Sequence, residues 1–349
     1  MKKFQIVGGL WGECNAGMKA PKDVADILER EGFVRLNLDV GAWLRRCGRF
    51  GAVIWLVVAV VKARRFGRGS IGFVQFPSPI CETRSTRLFM RWLNGRGVCF
   101  VGLIHDLAEL QHDRSENGLL PVTKFLMDIC EKVIVHNQAM KKWLVERKVG
   151  EDKLVELGVF DYLVGHDDWA VCGSSREIVV AGNLSPKKCG YIYHVGNLDE
   201  VRFNVYGMNN APNLAEQANV SYKGAFLPDE LIPYLQGGWG LVWDGDSVEE
   251  CAGVAGRYLL YNNPHKVSLY LAAGLPVIVW ARSALAKFVV DAGIGIAVDS
   301  LRDLPEKLNV VGVQRYDTLV ANVRHVAERL RSGCYLSEAL ERATNRCGS

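Results

Sequence analysis

A rhythm runs through this chain twice: short apolar runs closed by glycine, asparagine or aspartate, each followed by a longer stretch with helical spacing. Such alternation marks repeated β-α-β units, whose crossover helices oblige the strands to lie parallel. In the first half the strand candidates are Phe4 to Val7, Arg35 to Leu38, Ile71 to Phe76, Cys99 to Ile104, Lys132 to Val135 and Leu154 to Leu157. In the second half they are Glu177 to Val180, Arg202 to Tyr206, Val220 to Tyr222, Gly240 to Trp243, Pro276 to Val279 and Ile294 to Val298. Between the sets, Asp161 to Ser175 carries acids, Gly165, Gly173 and two serines, and reads as a linker. A chain of 349 residues exceeds what one hydrophobic core usually serves. The expectation is two doubly wound α/β domains, 1–165 and 176–312, followed by a helical tail, 313–349, with Val320, Val323, Val326, Ala327 and Leu330 on one stripe. Open parallel sheets bind ligands outside the carboxyl ends of their strands, so two in tandem are expected to share a cleft there.

Composition excludes several classes. Hydrophobic residues at 49% and charged residues at 23% fit an ordinary globular protein. The net charge of +4, from 42 basic and 38 acidic side chains, is too balanced for a nucleic-acid binder. Its distribution is uneven: from Arg45 to Arg96, the residues Arg46, Arg49, Lys62, Arg64, Arg65, Arg68, Arg84, Arg87 and Arg91 are met by Glu82 alone. An anionic membrane surface or a lipid-diphosphate acceptor suits that basic face, and a solvated surface without a partner is the competing reading. The longest apolar run, Gly51 to Val61, falls far short of the ~20 residues that span a bilayer, which leaves a buried helix or an interfacial one. The ten cysteines show no Cys-x-x-Cys pair or zinc spacing and read as reduced thiols. No signal-peptide pattern precedes the first strand, so the expected location is cytoplasmic, peripheral at the inner face of the membrane if the basic half makes contact.

The most informative segment runs from Tyr261 to Gly274 and is followed by the strand Pro276 to Val279. Asn263 is suited to cap a helix, Pro264 to open it and Gly274 to close it. His265 and Lys266 fall in the first turn, where the helix dipole disfavours cations. An anion that compensates them is therefore expected, and a diphosphate would do so; a solvated Lys266 is the alternative. The first strand of the second half runs into Ala181-Gly182-Asn183-Leu184-Ser185-Pro186-Lys187-Lys188, where Gly182 lets the backbone approach a ligand and Lys188 can meet phosphate. The Gly-x-Gly-x-x-Gly fingerprint is missing here and in Gly8-Gly9-Leu10-Trp11-Gly12, which argues against a dehydrogenase. Tyr222-Lys223-Gly224 ends another strand, where the ring can hold a base or fill the core. Asp244 and Asp246 resemble metal ligands without an evident third. In the first half, His105-Asp106 follows the strand Phe100 to Ile104; either side chain can take the proton of an acceptor hydroxyl, unless Asp106 merely caps the helix Leu107 to Gln111.

With these segments in hand, the chain resembles the bacterial β-1,6-galactofuranosyltransferases and, more distantly, the glucosyltransferases that extend glycans on bacterial adhesins. The likeness rests on Lys19-Ala20 with Asp23, Ile104-His105-Asp106, His136-Asn137, Phe160-Asp161-Tyr162, Gly182-Asn183-Leu184-Ser185 with Lys188, Tyr222-Lys223-Gly224, and Asn262 to Gly274. One departure is Cys14-Asn15-Ala16-Gly17-Met18, where relatives tend to carry a small hydroxyl residue. The resemblance implies the GT-B architecture of two Rossmann-like domains and a metal-independent transferase. It would move a galactofuranosyl, galactosyl or glucosyl group from a UDP-sugar to a glycan or lipid-linked glycan acceptor. Carried over by motif, Lys188, Tyr222, Asn262, Asn263, His265 and Lys266, with Gly182 and Asn183, would bind the donor, and His105 and Asp106 would lie by the acceptor. A UDP-sugar epimerase or a non-catalytic sugar-nucleotide-binding subunit would share the phosphate site, and self-association stays open.

Overall fold

The computed structural model describes residues 1–7, 16–38, 40–77, 83–112, 118–165, 167–173, 175–198 and 200–345. The glycine-rich segment at 8–12 and the Cys14-Asn15 departure lie outside them. The chain forms two compact units: Met1–Gly158 with Tyr335–Ser349, and Val159–Cys334.

In the first unit the strands are β1 (Lys3–Val7), β2 (Val34–Asn37), β3 (Ile71–Phe76), β4 (Cys99–Ile104), β5 (Cys130–Val135) and β6 (Leu154–Glu156). They form one sheet in the order β2-β1-β3-β4-β5-β6, every pair parallel. The central strands are apolar runs because helices cover both faces; Phe73, Phe100, Val101, Leu103 and Ile134 are fully buried.

In the second unit lie β7 (Val171–Cys172), β8 (Glu177–Asn183), β9 (Arg202–Met208), β10 (Val220–Gly224), β11 (Gln236–Gly237), β12 (Trp239–Val242), β13 (Val277–Trp280) and β14 (Gly295–Val298). The main sheet runs β10-β9-β8-β12-β13-β14 and is also parallel, while β7 and β11 form a separate small pair. Its core is unusually aromatic, with Tyr191, Phe203, Tyr206, Trp239, Trp243 and Tyr270 all buried.

Both sheets reverse direction once. Strand order grows outward from β1 to β2 and then resumes at β3 on the other side; likewise it grows from β8 through β9 to β10 and resumes at β12. The crevices beyond the carboxyl ends of β1/β3 and β8/β12 are therefore the topological switch points, where open α/β sheets bind ligands.

The boundaries differ from the expected 1–165, 176–312 and 313–349. The helix Leu304–Ser332, kinked at Gly312, packs within the second unit, where the Arg331 guanidinium donates to the Ala272 carbonyl at 2.7 Å. Gly333, at φ 87°, ends it. The next helix, Cys334–Thr344, returns to the first unit, with Ser337 Oγ donating to Glu31 at 2.7 Å and Arg342 to the Glu156 carbonyl at 2.7 Å. The supposed tail is thus shared between the units, and its buried stripe is Leu319, Val323, Ala327 and Leu330.

The cysteine expectation also needs correcting. Cys130, Cys189, Cys251 and Cys334 are free thiols, but Cys99 is disulfide-bonded. It begins β4 and is half-buried, unlike the buried residues that follow it in the strand.

Candidate functional site

The helix His265–Ala272 stands at the β8/β12 switch point, and three of its side chains tie it there. The Tyr270 hydroxyl accepts from the Ala181 backbone N–H near the end of β8 at 2.8 Å. Ser268 Oγ donates to the Phe160 carbonyl at 2.6 Å. Lys266 Nζ donates to Asp244 Oδ1 at 2.7 Å and to the Trp243 carbonyl at 3.1 Å, just past the end of β12. For Tyr270 to cross β12 the sheet must have no side chain at Gly240, since a Cβ there would meet the ring at 2.1 Å. Gly274, at φ 85°, closes the helix as expected. Its start differs: Pro264 rather than Asn263 holds the cap position, and a proline side chain gives the first turn no cap bond.

Lys266 is neither solvated nor a lone cation. Burial pulls its ammonium toward neutrality, but the Asp244 carboxylate beside it wins and holds the pKa above the ordinary lysine value. Around this pair are groups kept uncharged by burial, which pushes the Cys189 thiol up to about 11 and the Tyr270 phenol up to about 12. Tyr191 is raised well above its usual value for the same reason. Asp244 is therefore committed to Lys266, which removes it from the metal-like pairing with Asp246. Among the described residues no group of His, Cys, Asp and Glu is arranged to hold a metal ion.

An ammonium has three protons, and the Asp244 and Trp243 bonds occupy two, so Lys266 retains one donor for a further acceptor. Asn262, four residues earlier, has its amide oxygen buried without a hydrogen-bond partner. Leaving such a group unmet costs about 1–3 kcal/mol, which a ligand donor would recover. Asn263 is buried beside it. His265 stacks on Tyr162, ring centroids 5.1 Å apart, and its Nε2 lies 3.3 Å from the Asp161 carbonyl. The Phe160-Asp161-Tyr162 segment, which runs into the expected linker at Asp161, thus clamps this helix.

Gly182, at φ 136°, ends β8 next to Gly207 of β9, where a Cβ would come within 1.8 Å of the Gly182 carbonyl oxygen. The two backbones touch, leaving the strand end open to a close approach. Asn183 Oδ1 accepts from the Ser185 N–H at 3.0 Å and orders the turn. Lys188 follows in a short helix; its carbonyl accepts from the Gly245 N–H at 2.8 Å, which sets its backbone beside the Asp244 loop, and its side chain is exposed. Tyr222 does not join this group. It lies on the edge strand β10, three strands from β12, roughly 14 Å at the usual spacing. Its hydroxyl donates to the Gly207 carbonyl at 2.9 Å, and its side chain is exposed, which rules out the core reading.

In the first unit, His105 leaves β4 with its backbone N–H on the Phe76 carbonyl and its Nε2 at 2.7 Å from Gln75 Oε1. The Gln75 amide nitrogen donates to the Pro21 carbonyl at 3.1 Å, which fixes Oε1 as the atom facing His105. Nε2 therefore carries a proton, and in the neutral ring Nδ1 is the basic nitrogen. Asp106 is half-exposed, and Leu107 rather than Asp106 holds the cap position of the next helix, Ala108–Gln111, without a side-chain bond of its own. Behind them His136, fully buried after β5, donates from Nε2 to the Ile104 carbonyl at 3.1 Å. Lys19 and Asp23 form a buried ion pair at 2.6 Å.

Burial lowers the His136 pKa from 6.5 to about 4. Between those values the unfolded chain binds the proton that the folded chain refuses. Stability is then flat above pH 6.5 and falls as pH drops from 6.5 toward 4, by about 3 kcal/mol in total from this group. Urea melts across that range check this; a His136→Phe variant should show a shallower fall.

Sequence reasoning missed Asp244 as the partner of Lys266, Gln75 as the group orienting His105, and Tyr270 as the anchor of the helix. Only the position of Asp244 after a strand was visible beforehand.

Comparison with known proteins fits this geometry. Residues 12–159 match the glucosyltransferase 3-like N-terminal domain and residues 178–343 the glucosyltransferase 3-like C-terminal domain. The chain belongs to the glucosyltransferase 3-like family. Among its relatives, β-1,6-galactofuranosyltransferase WbbI of Escherichia coli (strain K12) is 34% identical over 94% of each chain. Glucosyltransferase 3 of Streptococcus parasanguinis is 27% identical over 70% of this chain and 69% of its own. Among solved structures, Anabaena Alr3699/HepE in complex with UDP superposes with a TM-score of 0.61 at 13% identity, covering 97% of this chain and 98% of its own. The lipopolysaccharide outer core galactosyltransferase WaaB reaches 0.60 at 9% identity, covering 97% and 99%. Both the expected GT-B fold and the resemblance to galactofuranosyltransferases are borne out in this glucosyltransferase 3-like chain.

Proposed function

We propose that this glycosyltransferase moves a hexosyl group from a UDP-sugar to a glycan acceptor, with the donor's diphosphate bound at the β8/β12 switch point. The observation that carries the reading is Lys266, a part-buried cation in the first turn of the helix, paired with buried Asp244 and with one donor to spare. Lys188, whose backbone meets the Asp244 loop, offers a second positive charge, and the first-turn N–H groups add the helix dipole. Asn262 offers a buried acceptor to a donor hydroxyl, and Tyr222 an exposed ring to the base at the far end of the nucleotide. The family relationship supports the same reading, since the relatives are named for galactofuranosyl and glucosyl transfer. In the first unit, His105 and Asp106 are proposed to take the acceptor's hydroxyl proton. His105 Nδ1 is the basic atom, and Gln75 holds the ring in that tautomer.

Protein cations already neutralise the diphosphate in this scheme, so no divalent ion is required. UDP should bind with the same affinity in excess chelator as in magnesium, measured by titration calorimetry. Loss of binding under chelation would instead indicate a metal-bridged diphosphate.

A further inference from the structure

Among the described residues, the second half of the helix Val40–Ala63 carries an exposed apolar face. Gly51, Trp55, Ala59 and Ala63 recur every four residues on its buried side, with Trp55 edge-on to Phe89 of the helix Arg84–Gly95 at 5.7 Å. On the opposite side, where a surface helix normally shows charge, stand Phe50, Val53, Ile54, Val57 and Val61. Phe50 is 79% exposed, Val53 62% and Val57 58%. These residues share an arc of about 100° on the helix, and Leu88 of the neighbouring helix is exposed as well. From Phe50 to Val61 the helix is apolar all round yet only about 18 Å long, too short to cross a bilayer.

The rim of this face is cationic. Lys62, Arg64, Arg65 and Arg68 are exposed just past the stripe, and Arg84 and Arg91 on the neighbouring helix. Glu82 is the only acid between Arg45 and Arg96. A second copy of the chain would bring like charges together around the stripe, which disfavours self-pairing. An anionic lipid surface answers both features, taking the apolar stripe below its headgroups and the cations at its phosphates.

We infer that the outer face of this helix from Phe50 to Val61 lies in the headgroup region of an anionic phospholipid bilayer. This builds on the transferase reading, because a lipid-linked acceptor resides at such a surface; vesicle binding needs no turnover, so either reading can fail alone. The full chain should co-sediment with vesicles of phosphatidylcholine containing about 30% phosphatidylglycerol, and far less with phosphatidylcholine alone, more weakly as salt rises. Val53→Asn with Val57→Asn should lower partitioning at least about tenfold. Lys62→Gln with Arg64→Gln and Arg65→Gln should reduce anionic-vesicle binding to the phosphatidylcholine level. These residues are exposed and outside the donor site, so melting temperature and UDP affinity should stay unchanged and certify folded protein. Failure to bind anionic vesicles, or equal binding by wild type and both variants, overturns the inference. So does a dimer in light scattering that Val57→Asn dissociates, which would give the face to a second copy.

Discussion

Lys266→Ala destabilises the Val159–Cys334 unit by about 3–5 kcal/mol, the usual cost of leaving a buried charge without its partner. A solvated Lys266, the alternative the sequence left open, would be removed at little cost to stability. The 2.7 Å bond to buried Asp244 changes that expectation. UDP affinity should fall as well, by about 1.5–3 kcal/mol, the range for hydrogen bonds to charged groups, or roughly 10- to 100-fold. The two effects separate in the double variant Lys266→Ala, Asp244→Asn. With no orphaned carboxylate, most of the stability returns, while UDP affinity stays low because the cation is gone. Urea melts and calorimetry on the two variants check this. Wild-type stability in Lys266→Ala would mean that the pair is not felt in solution, and wild-type UDP affinity would remove Lys266 from the donor site.

Asp106→Asn and His105→Ala are expected to leave UDP binding intact while lowering transfer by ~10²- to 10⁴-fold, the usual share of general acid–base catalysis. Binding survives because the proposed donor residues all belong to the other unit. Leu107 occupies the cap position of Ala108–Gln111, and asparagine caps as well as aspartate, so Asp106→Asn separates proton transfer from capping. Gln75→Ala tests the tautomer: it touches His105 but no proposed donor residue, so it should cut turnover, leave UDP affinity alone and shift the pH profile. Near-normal transfer by both the Asp106 and the His105 variants, on folded protein with saturating donor, would take them out of the mechanism.

The strands were legible because parallel sheets buried on both faces write themselves as apolar runs. Each of the twelve candidates overlaps a strand, and Ile71–Phe76 and Cys99–Ile104 match residue for residue. The pair β7 and β11 was not foreseen, since two residues carry no periodicity. The unit boundary was misplaced because Asp161, Gly165 and the serines look like a linker, whereas Phe160, Tyr162 and Leu163 are buried in the second unit. Pairings distant in sequence were illegible: Lys266 with Asp244, and His105 with Gln75 thirty residues apart, exist only once the strands are laid side by side. Composition could not separate a buried helix from an interfacial one over Gly51 to Val61. The structure shows one face buried and the other bare.

The most direct measurement is acceptor-dependent release of UDP. Purified protein is incubated with a panel of UDP-sugars, the donor is identified by the thermal shift it produces, and free UDP is then quantified with and without glycan acceptors. Hexosyl transfer predicts one UDP for each sugar joined to the acceptor, and little without it. Conversion of the UDP-sugar to an isomer with no UDP released, or tight donor binding with no turnover on any acceptor, would contradict it.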